Sequence, residues 1–444
     1  TVNRLPPATV RRAARRTGRT HLLTATTTAP NLTATLNQIT PMGGDLVVDW
    51  GDGSAPTVIA EGNTDAVSHA YAAAGSYKIR IDHPELISVF VVRDDAGEAS
   101  GPLTLGKLNT RILRDSPITW FEVYALVDCI LNSADMVGWT GITRFHVGLM
   151  WQGDDRHDQF DTRHMAGWTS LEHFALYSVH IGPNYFDTAD LHATQLKYFR
   201  VGYITAPGTY VVDSGDFAGN TVLEYFWMWS MPAGGTYTID TADIGTTVLT
   251  HFAVQDMPAG SYTIDTADLG ISSHIAWFAL VNMPSPNSSY RVDSSDLSAS
   301  PMTEGFEFYG GPSGGTYVLD SADMTGWDPL FWYAQSLPAG TYRIDTSDFV
   351  GFTRIGSVHP ALDAGRYLYD QQCRHGCLGG IGPGTSLDIL DARIKQHIRA
   401  EHGGFPHTSE KFSLECDACC QHHVHHRRGR LRYLDQVRRF PHGQ

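Results

Sequence analysis

Charge is scarce in this chain: Asp, Glu, Lys and Arg together make 18% of its 444 residues, against about a quarter in an ordinary soluble protein. Long apolar runs are missing as well. Nothing approaches the roughly 18 apolar residues that a membrane-crossing helix needs, so no membrane span is expected. No secretory leader is visible, and because the chain opens on Thr1 the expectation is that something has been removed ahead of it. Gly-x-Ser-x-Gly, His-Glu-x-x-His, the P-loop and the dinucleotide fingerprint are all absent. Ser, His and Asp are common, but without a spacing that predicts a shared pocket they are surface polar groups, and no enzymatic activity is expected.

What is plentiful is glycine (44 residues) and aromatic side chains (11%), the signature of many short strands joined by turns. An all-β or solenoid fold is expected. Charge is also unevenly placed. Of the formal −15, residues 1–20 contribute +6 and residues 421–444 contribute +5, which leaves −26 on residues 21–420. Two basic arms, with Arg11, Arg12, Arg15 and Arg16 in the first and Arg427 and Arg428 in the second, therefore flank an acidic body. Basic arms alone suit nucleic acid or an anionic membrane, but these are tethered to a body that repels phosphate. The acidic body of a neighbouring copy is the closer target, and no nucleic-acid partner is expected. Two solvated tails are the competing reading.

Leu46, Val48 and Trp50 alternate as in a half-buried strand, Gly51-Asp52-Gly53-Ser54 has turn composition, and Tyr77, Ile79 and Ile81 form a second strand. Trp50-Gly51-Asp52-Gly53 followed by His69-x-Tyr71-x-x-x-Gly75-x-Tyr77 resembles the PKD domain over about residues 21–95. The resemblance implies a small immunoglobulin-like β-sandwich, a spacer or contact module of secreted and surface proteins. Asp49 and Asp52 are too few for a calcium site and suit turn formation.

From there the chain repeats itself. Asp-[Ser/Thr]-x-Asp-apolar begins at Asp187, Asp213, Asp240, Asp265, Asp293, Asp320 and Asp345, with a degenerate copy at Asp161, Asn132 in the same place earlier, and Asp370 ending the series. In phase with it runs Leu249-x-x-Phe252-x-Val254-x-x-Met257, recurring at Leu171, Leu196, Leu223 and Ile275, more weakly at Ile118 and Ile142, with Leu86, Val89 and Val91 as an earlier rung. A period near 26 residues predicts a solenoid whose units stack because none can bury a core alone. The pattern resembles the core of leucine-rich repeats, with Phe commonly at the second Leu position and no strict Asn ladder. Phe252 and Val254 are expected to point inward and Ala253 outward. The first Asp of each unit is expected to cap a one-turn helix, with the second near its N3 position; a calcium ladder is the rejected alternative, for want of nine-residue glycine-dense spacing.

The outward positions are expected to form an exposed face bearing Tyr177, Tyr198, Arg200, Tyr203, Tyr225, Trp227, Trp229, Trp277 and Trp332. Such a face would hold sugars or another protein, unless its rings only pack on one another. After Asp370 the rhythm breaks. Cys373, Cys377, Cys416 and Cys419 suit a tetrahedral structural zinc or disulfides, and the spacing leaves both open; no other cofactor is expected. Asn31-Leu-Thr and Asn287-Ser-Ser match the N-glycan acceptor pattern.

The expected organisation is mainly β. A basic arm (1–20) precedes an immunoglobulin-like β-sandwich (21–100), then a parallel-strand leucine-rich-repeat-like solenoid (101–370), then a Cys/His-containing basic cap or tail (371–444). The expected function is that of an extracellular, cell-surface or virion structural protein assembling with itself. A monomeric adhesin that binds glycan or surface protein on the aromatic face is the alternative.

Overall fold

The computed structural model describes residues 20–361 apart from 94–101, 151–159, 180–183, 205–207, 247, 285–286, 344–347, 350–351 and 355–356. Both basic arms, the four cysteines Cys373, Cys377, Cys416 and Cys419, and the aspartates Asp345 and Asp370 lie outside the described residues. So does the whole of a small second unit, His402–Gln444; every described residue belongs to the larger unit, Thr1–Glu401.

The first module is antiparallel. Its strands are β1 (Thr20–Thr27), β2 (Leu32–Leu36), β3 (Gln38–Pro41), β4 (Leu46–Asp49), β5 (Thr57–Ile59), β6 (Val67–Tyr71), β7 (Gly75–Ile81), β8 (Ile87–Arg93) and β9 (Leu103–Gly106). One sheet has the order β5-β4-β7-β1-β9, and β2 pairs with β6. Leu46, Val48 and Trp50 are buried, as their alternation predicts. The turn after them is held by Asp49 and Asp52, whose carboxylates accept the N–H groups of Gly51 and Ser54, each at 3.0 Å. Gly51 is required there: its φ is +84°, and a Cβ would lie 2.5 Å from the Lys78 carbonyl oxygen. The strands exchange across residue 100. β9 closes the first sheet against β1, while β8 pairs in parallel with the next core strand and opens the solenoid's long sheet.

Among the described residues the first coils have a core strand alone, and the coils whose core strands lie between His173 and Gln335 each add a return strand. Chain order is β10 (Trp120–Tyr124), β11 (Arg144–Met150), β12 (His173–Val179), β13 (Asn184–Asp187), β14 (Tyr198–Gly202), β15 (Gly208–Asp213), β16 (Tyr225–Trp229) and β17 (Thr236–Asp240). It continues through β18 (His251–Gln255), β19 (Ser261–Asp265), β20 (Trp277–Val281), β21 (Ser289–Asp293), β22 (Gly305–Tyr309), β23 (Thr316–Asp320), β24 (Phe331–Gln335), β25 (Thr341–Arg343) and β26 (Ser357–Ala361). Core strands make a 12-stranded sheet, β26-β24-β22-β20-β18-β16-β14-β12-β11-β10-β8-β3, parallel except at β3/β8; return strands make a 7-stranded parallel sheet. The fold is thus mainly β, with a parallel-stranded solenoid after the antiparallel module.

A column of rings runs through the core. Phe90, Phe121, Phe145, Phe174, Phe199, Phe226, Phe252, Phe278, Phe306 and Trp332 stack in succession with centroids 5.4 to 6.2 Å apart. Two positions differ from the sequence reading. Phe90, not Val89, takes the early rung, because β8 pairs Phe90 with Phe121. Trp332 is fully buried in this column and not on the outer face, because β24 places it opposite Phe306. One residue of register reverses which side of a strand a side chain occupies.

The Asp-[Ser/Thr]-x-Asp units are caps and also stitches. Asn109, Asn132, Asp161, Asp187, Asp213, Asp240, Asp265, Asp293 and Asp320 each cap a helical turn by accepting the N–H two residues on. The Ser or Thr between them is fully buried and faces the following coil. Thr241 Oγ1 accepts the Asp265 N–H at 2.9 Å and donates to Asp268 Oδ2 at 2.8 Å; Ser214 and Thr266 do the same for their neighbours. In the degenerate copy His164 replaces the second Asp, and its Nδ1 meets the Ser133 hydroxyl at 2.9 Å. The repeated Pro and Tyr are coupled too: the phenol of Tyr237, Tyr262, Tyr290, Tyr317 and Tyr342 donates to the carbonyl of Pro232, Pro258, Pro284, Pro312 and Pro338 respectively.

Candidate binding face

Each core strand turns alternate residues outward, so the far side of the long sheet carries three rows of side chains. The middle row runs Glu122, His146, Ala175, Arg200, Trp227, Ala253, Ala279, Glu307 and Tyr333. Parallel register puts each residue beside its counterpart one coil away, about 4.8 Å across the hydrogen bonds.

The aromatic residues do gather here, but as a packed layer. Tyr225, Trp227 and Trp277 are 7%, 6% and 6% exposed and cluster with Ala253 and Ala279, against which Tyr198, Trp229 and Phe331 lean. The expectation of an open aromatic face is therefore corrected: these rings largely cover one another. Small outward residues make this possible. A Cβ on Gly148 would lie 2.6 Å from the Tyr177 ring, and one on Gly202 would overlap the Trp229 ring, so each ring lies flat across a neighbouring glycine. Tyr203 alone among the named aromatics is truly exposed, at 51%; it succeeds β14 with φ +49°, and its N–H donates to the Trp229 carbonyl at 2.9 Å.

Within the layer lies a buried cation. Arg200 is 8% exposed, its guanidinium 4.2 Å from the ring centroids of both Tyr177 and Trp227 and 5.1 Å from that of Trp229. Burial works against its charge, but the neighbouring Tyr198, Tyr177 and Tyr225 hold its proton affinity above the ordinary arginine range, so it stays charged. The same environment drives the Tyr225 phenol well up, chiefly through burial.

One end of the face is polar. Glu122 accepts from Arg93 at 2.6 Å and from the Trp120 indole at 3.1 Å, with His146 Nδ1 at 3.8 Å. Burial opposes its ionisation, yet His146 and Arg93 hold its carboxyl below the usual range. His146 and His173 are each pushed down to about 4, first by burial; Glu122 partly opposes this at His146, and Arg144 adds to it at His173. Further along, His251 bridges Thr250 at 2.8 Å and Glu304 at 2.9 Å and stacks on Tyr225 with centroids 4.7 Å apart. None of the polar partners Glu122, His146, His173, His251 and Glu304 was singled out from sequence. Their signal was the position two residues from, or adjacent to, the ladder Phe.

Elsewhere, the residues of the first motif converge: Trp50 stacks on His69 at 5.1 Å, His69 Nε2 meets Asp52 at 2.7 Å, and the Tyr71 phenol donates to the Trp50 carbonyl at 3.1 Å. Asn31 and Asn287, the sequon residues, are both exposed. Cys129 is buried in the core, its thiol donating to the Val127 carbonyl. Among the described residues no group of His, Cys, Asp or Glu is arranged to hold a metal ion, and no helix is long and apolar enough to cross a membrane.

No protein-family model matches the chain, and no curated protein matches it. Among solved structures it is similar to a leucine-rich-repeat protein of Leptospira interrogans, at 7% identity and a TM-score of 0.32. That alignment covers 57% of this chain and 64% of the other, so the chain spans less than two thirds of that protein's length.

Proposed function

We propose that the protein is a non-enzymatic structural element that associates with copies of itself, the basic arms of one copy held by the acidic solenoid of another. One observation carries this reading. Asp187, Asp190, Asp213, Asp216, Asp240, Asp243 and Asp268 succeed one another along successive coils, and no Lys or Arg among the described residues lies within ion-pair distance of them. Among the described residues, cations meet the series at Asp161, through Arg163, and from Asp265 onward, where Arg291 meets Asp265, Asp293 and Asp296 and Arg343 meets Asp320. The Asp216 carboxyl is raised, first by burial and then by Asp213, Asp187 and Asp190 against an opposing hydrogen bond from Thr188, as expected for a strip with no counter-charge. Arginine-rich segments on the same chain supply the complement.

The first module reads as PKD-like, supported by the convergence of Trp50, Asp52, His69, Tyr71 and Tyr77, and the solenoid as a divergent leucine-rich-repeat array. The PKD-like reading supports a location outside the cell or on a cell or virion surface. Sedimentation of the full chain and of a variant lacking residues 1–20 and 421–444, at low and high salt, tests the proposal. The full chain should form larger species that dissociate in salt, and the variant should stay monomeric. A full chain that is monomeric at low salt would overturn self-assembly in favour of a monomeric adhesin.

A further inference from the structure

We infer that Arg200 and the rings around it form a binding site for a carboxylate-bearing sugar, independently of any assembly through the arms. Half-buried Arg93 and buried Arg200 differ in their partners. Arg93 has Glu122 at 2.6 Å, whereas Arg200 has no carboxylate within ion-pair distance among the described residues. Ring faces at 4.2 Å offset part of the cost of burying its charge but supply no acceptor for its N–H groups. Tyr198 serves one side of the guanidinium, and Nε is left without a partner.

The deficit extends beyond Arg200. Trp227 Nε1, Gln255 Nε2 and Trp277 Nε1, on β16, β18 and β20, are also enclosed donors without acceptors. A protein satisfies nearly all such groups, and a local excess of one kind marks where an external partner completes them. From β14 to β20, beside a fixed positive charge on the side of the sheet facing away from the core, the groups left are donors; His146 Nε2, in the same row two strands away, and the core indoles of Trp327 and Trp332 also lack partners. The occupant must therefore bring negative charge and acceptor oxygens. A neutral peptide backbone brings carbonyl acceptors but no negative charge for the guanidinium. A sugar acid brings a carboxylate for the guanidinium fork and hydroxyl and ring oxygens for the indole and amide donors, and its C–H face stacks on aromatic rings. The rim provides those rings: half-buried Trp229 and exposed Tyr203, joined by the backbone hydrogen bond of 2.9 Å. Occupation requires the Trp229 ring to move off Gly202, which it now covers.

The test is calorimetric titration of the full chain with trigalacturonate, the neutral sugar maltotriose, acetate and a short polyglutamate, together with NMR of the indole and arginine Nε–H signals. Trigalacturonate should bind saturably and shift the Trp227, Trp277 and Arg200 signals, while maltotriose does not bind and acetate and polyglutamate bind more weakly. Arg200→Lys, which keeps charge but loses the fork, should weaken binding about tenfold or more. Tyr203→Ala, at an exposed position that the fold does not need, should weaken it severalfold with an unchanged circular dichroism spectrum, and it carries the test if Arg200→Lys fails to fold. No binding by trigalacturonate, equal binding by maltotriose, or tighter binding by polyglutamate overturns the inference. Sedimentation is a separate readout, so this result stands or falls apart from the assembly proposal.

Discussion

The hydroxyl of Thr241 donates to the carboxylate of Asp268, a residue of the following coil, at 2.8 Å. Thr241 is fully buried, and the same oxygen accepts the Asp265 N–H at 2.9 Å. Thr241→Val keeps the shape and removes both bonds, which leaves a buried N–H and a carboxylate oxygen without their partner. The expected loss is about 2–3 kcal/mol in urea unfolding. In hydrogen exchange, protection should fall most in the coils containing residues 241 and 265, because stacked repeats couple mainly to their neighbours.

Removal of one ring from the core column should act over a longer range. Phe252 touches Phe226 and Phe278 with centroids 6.1 and 5.9 Å away, so Phe252→Ala opens a cavity between two coils. A cost of about 3–5 kcal/mol is expected from chemical denaturation. Phe252→Trp should be milder, since Trp332 already occupies this column.

Acid should weaken the polar end of the outer face before the carboxylates titrate. His146 and His173 are held near pKa 4 in the folded protein, chiefly by burial, against 6.5 when exposed. Between those values the unfolded chain binds more protons, so stability falls as pH drops from about 6.5 towards 4. The double variant His146→Gln, His173→Gln should flatten this part of the profile, a difference on the order of 2 kcal/mol per histidine near pH 4.5 in urea melts.

Asp216 has the opposite sign. Its carboxyl is raised, so the folded state holds its proton more tightly than the unfolded one, and its effect on stability worsens as pH rises through the carboxylate range. Asp216→Asn retains an acceptor for the Thr188 hydroxyl and removes one charge from the strip. The variant should be more stable than the parent at pH 7, by less than about 1 kcal/mol, and equal to it near pH 3.

Gly202→Ala should displace the Trp229 ring and also strain the neighbouring strand, since a Cβ would overlap both the ring and the Trp229 carbonyl oxygen. The expected cost is about 1–3 kcal/mol, with a red shift of tryptophan emission as the ring enters water.

Much of the coil was legible because it repeats. Leu249, Phe252, Val254 and Met257 recur in one spacing, and period-two alternation says that Phe252 and Val254 share a side; all four lie in the core. The capping role of Asp240 and its equivalents was legible for the same reason, since Asp before a helical turn bonds locally. The hydroxyl stitch was not. Thr241 is an ordinary residue until another coil arrives beside it, and its partners are 24 and 27 residues away. The early rung was legible too, since Ile87, Phe90 and Val92 keep the motif spacing one residue on from Leu86 and Val89; at β24, where Trp332 stands next to Phe331, only pairing with Phe306 sets the register.

Local chemistry alone thus determined that the chain coils, how often, and which residues turn inward, because alternation and capping act over a few bonds. Tertiary structure decided what happens on the outward side. There Trp227 and Tyr225 meet neighbours from other coils, Gly148 and Gly202 make room for rings, and Arg200 is enclosed away from any carboxylate among the described residues. Burial and charge pairing depend on which coils come into contact, and no short stretch of sequence encodes that contact.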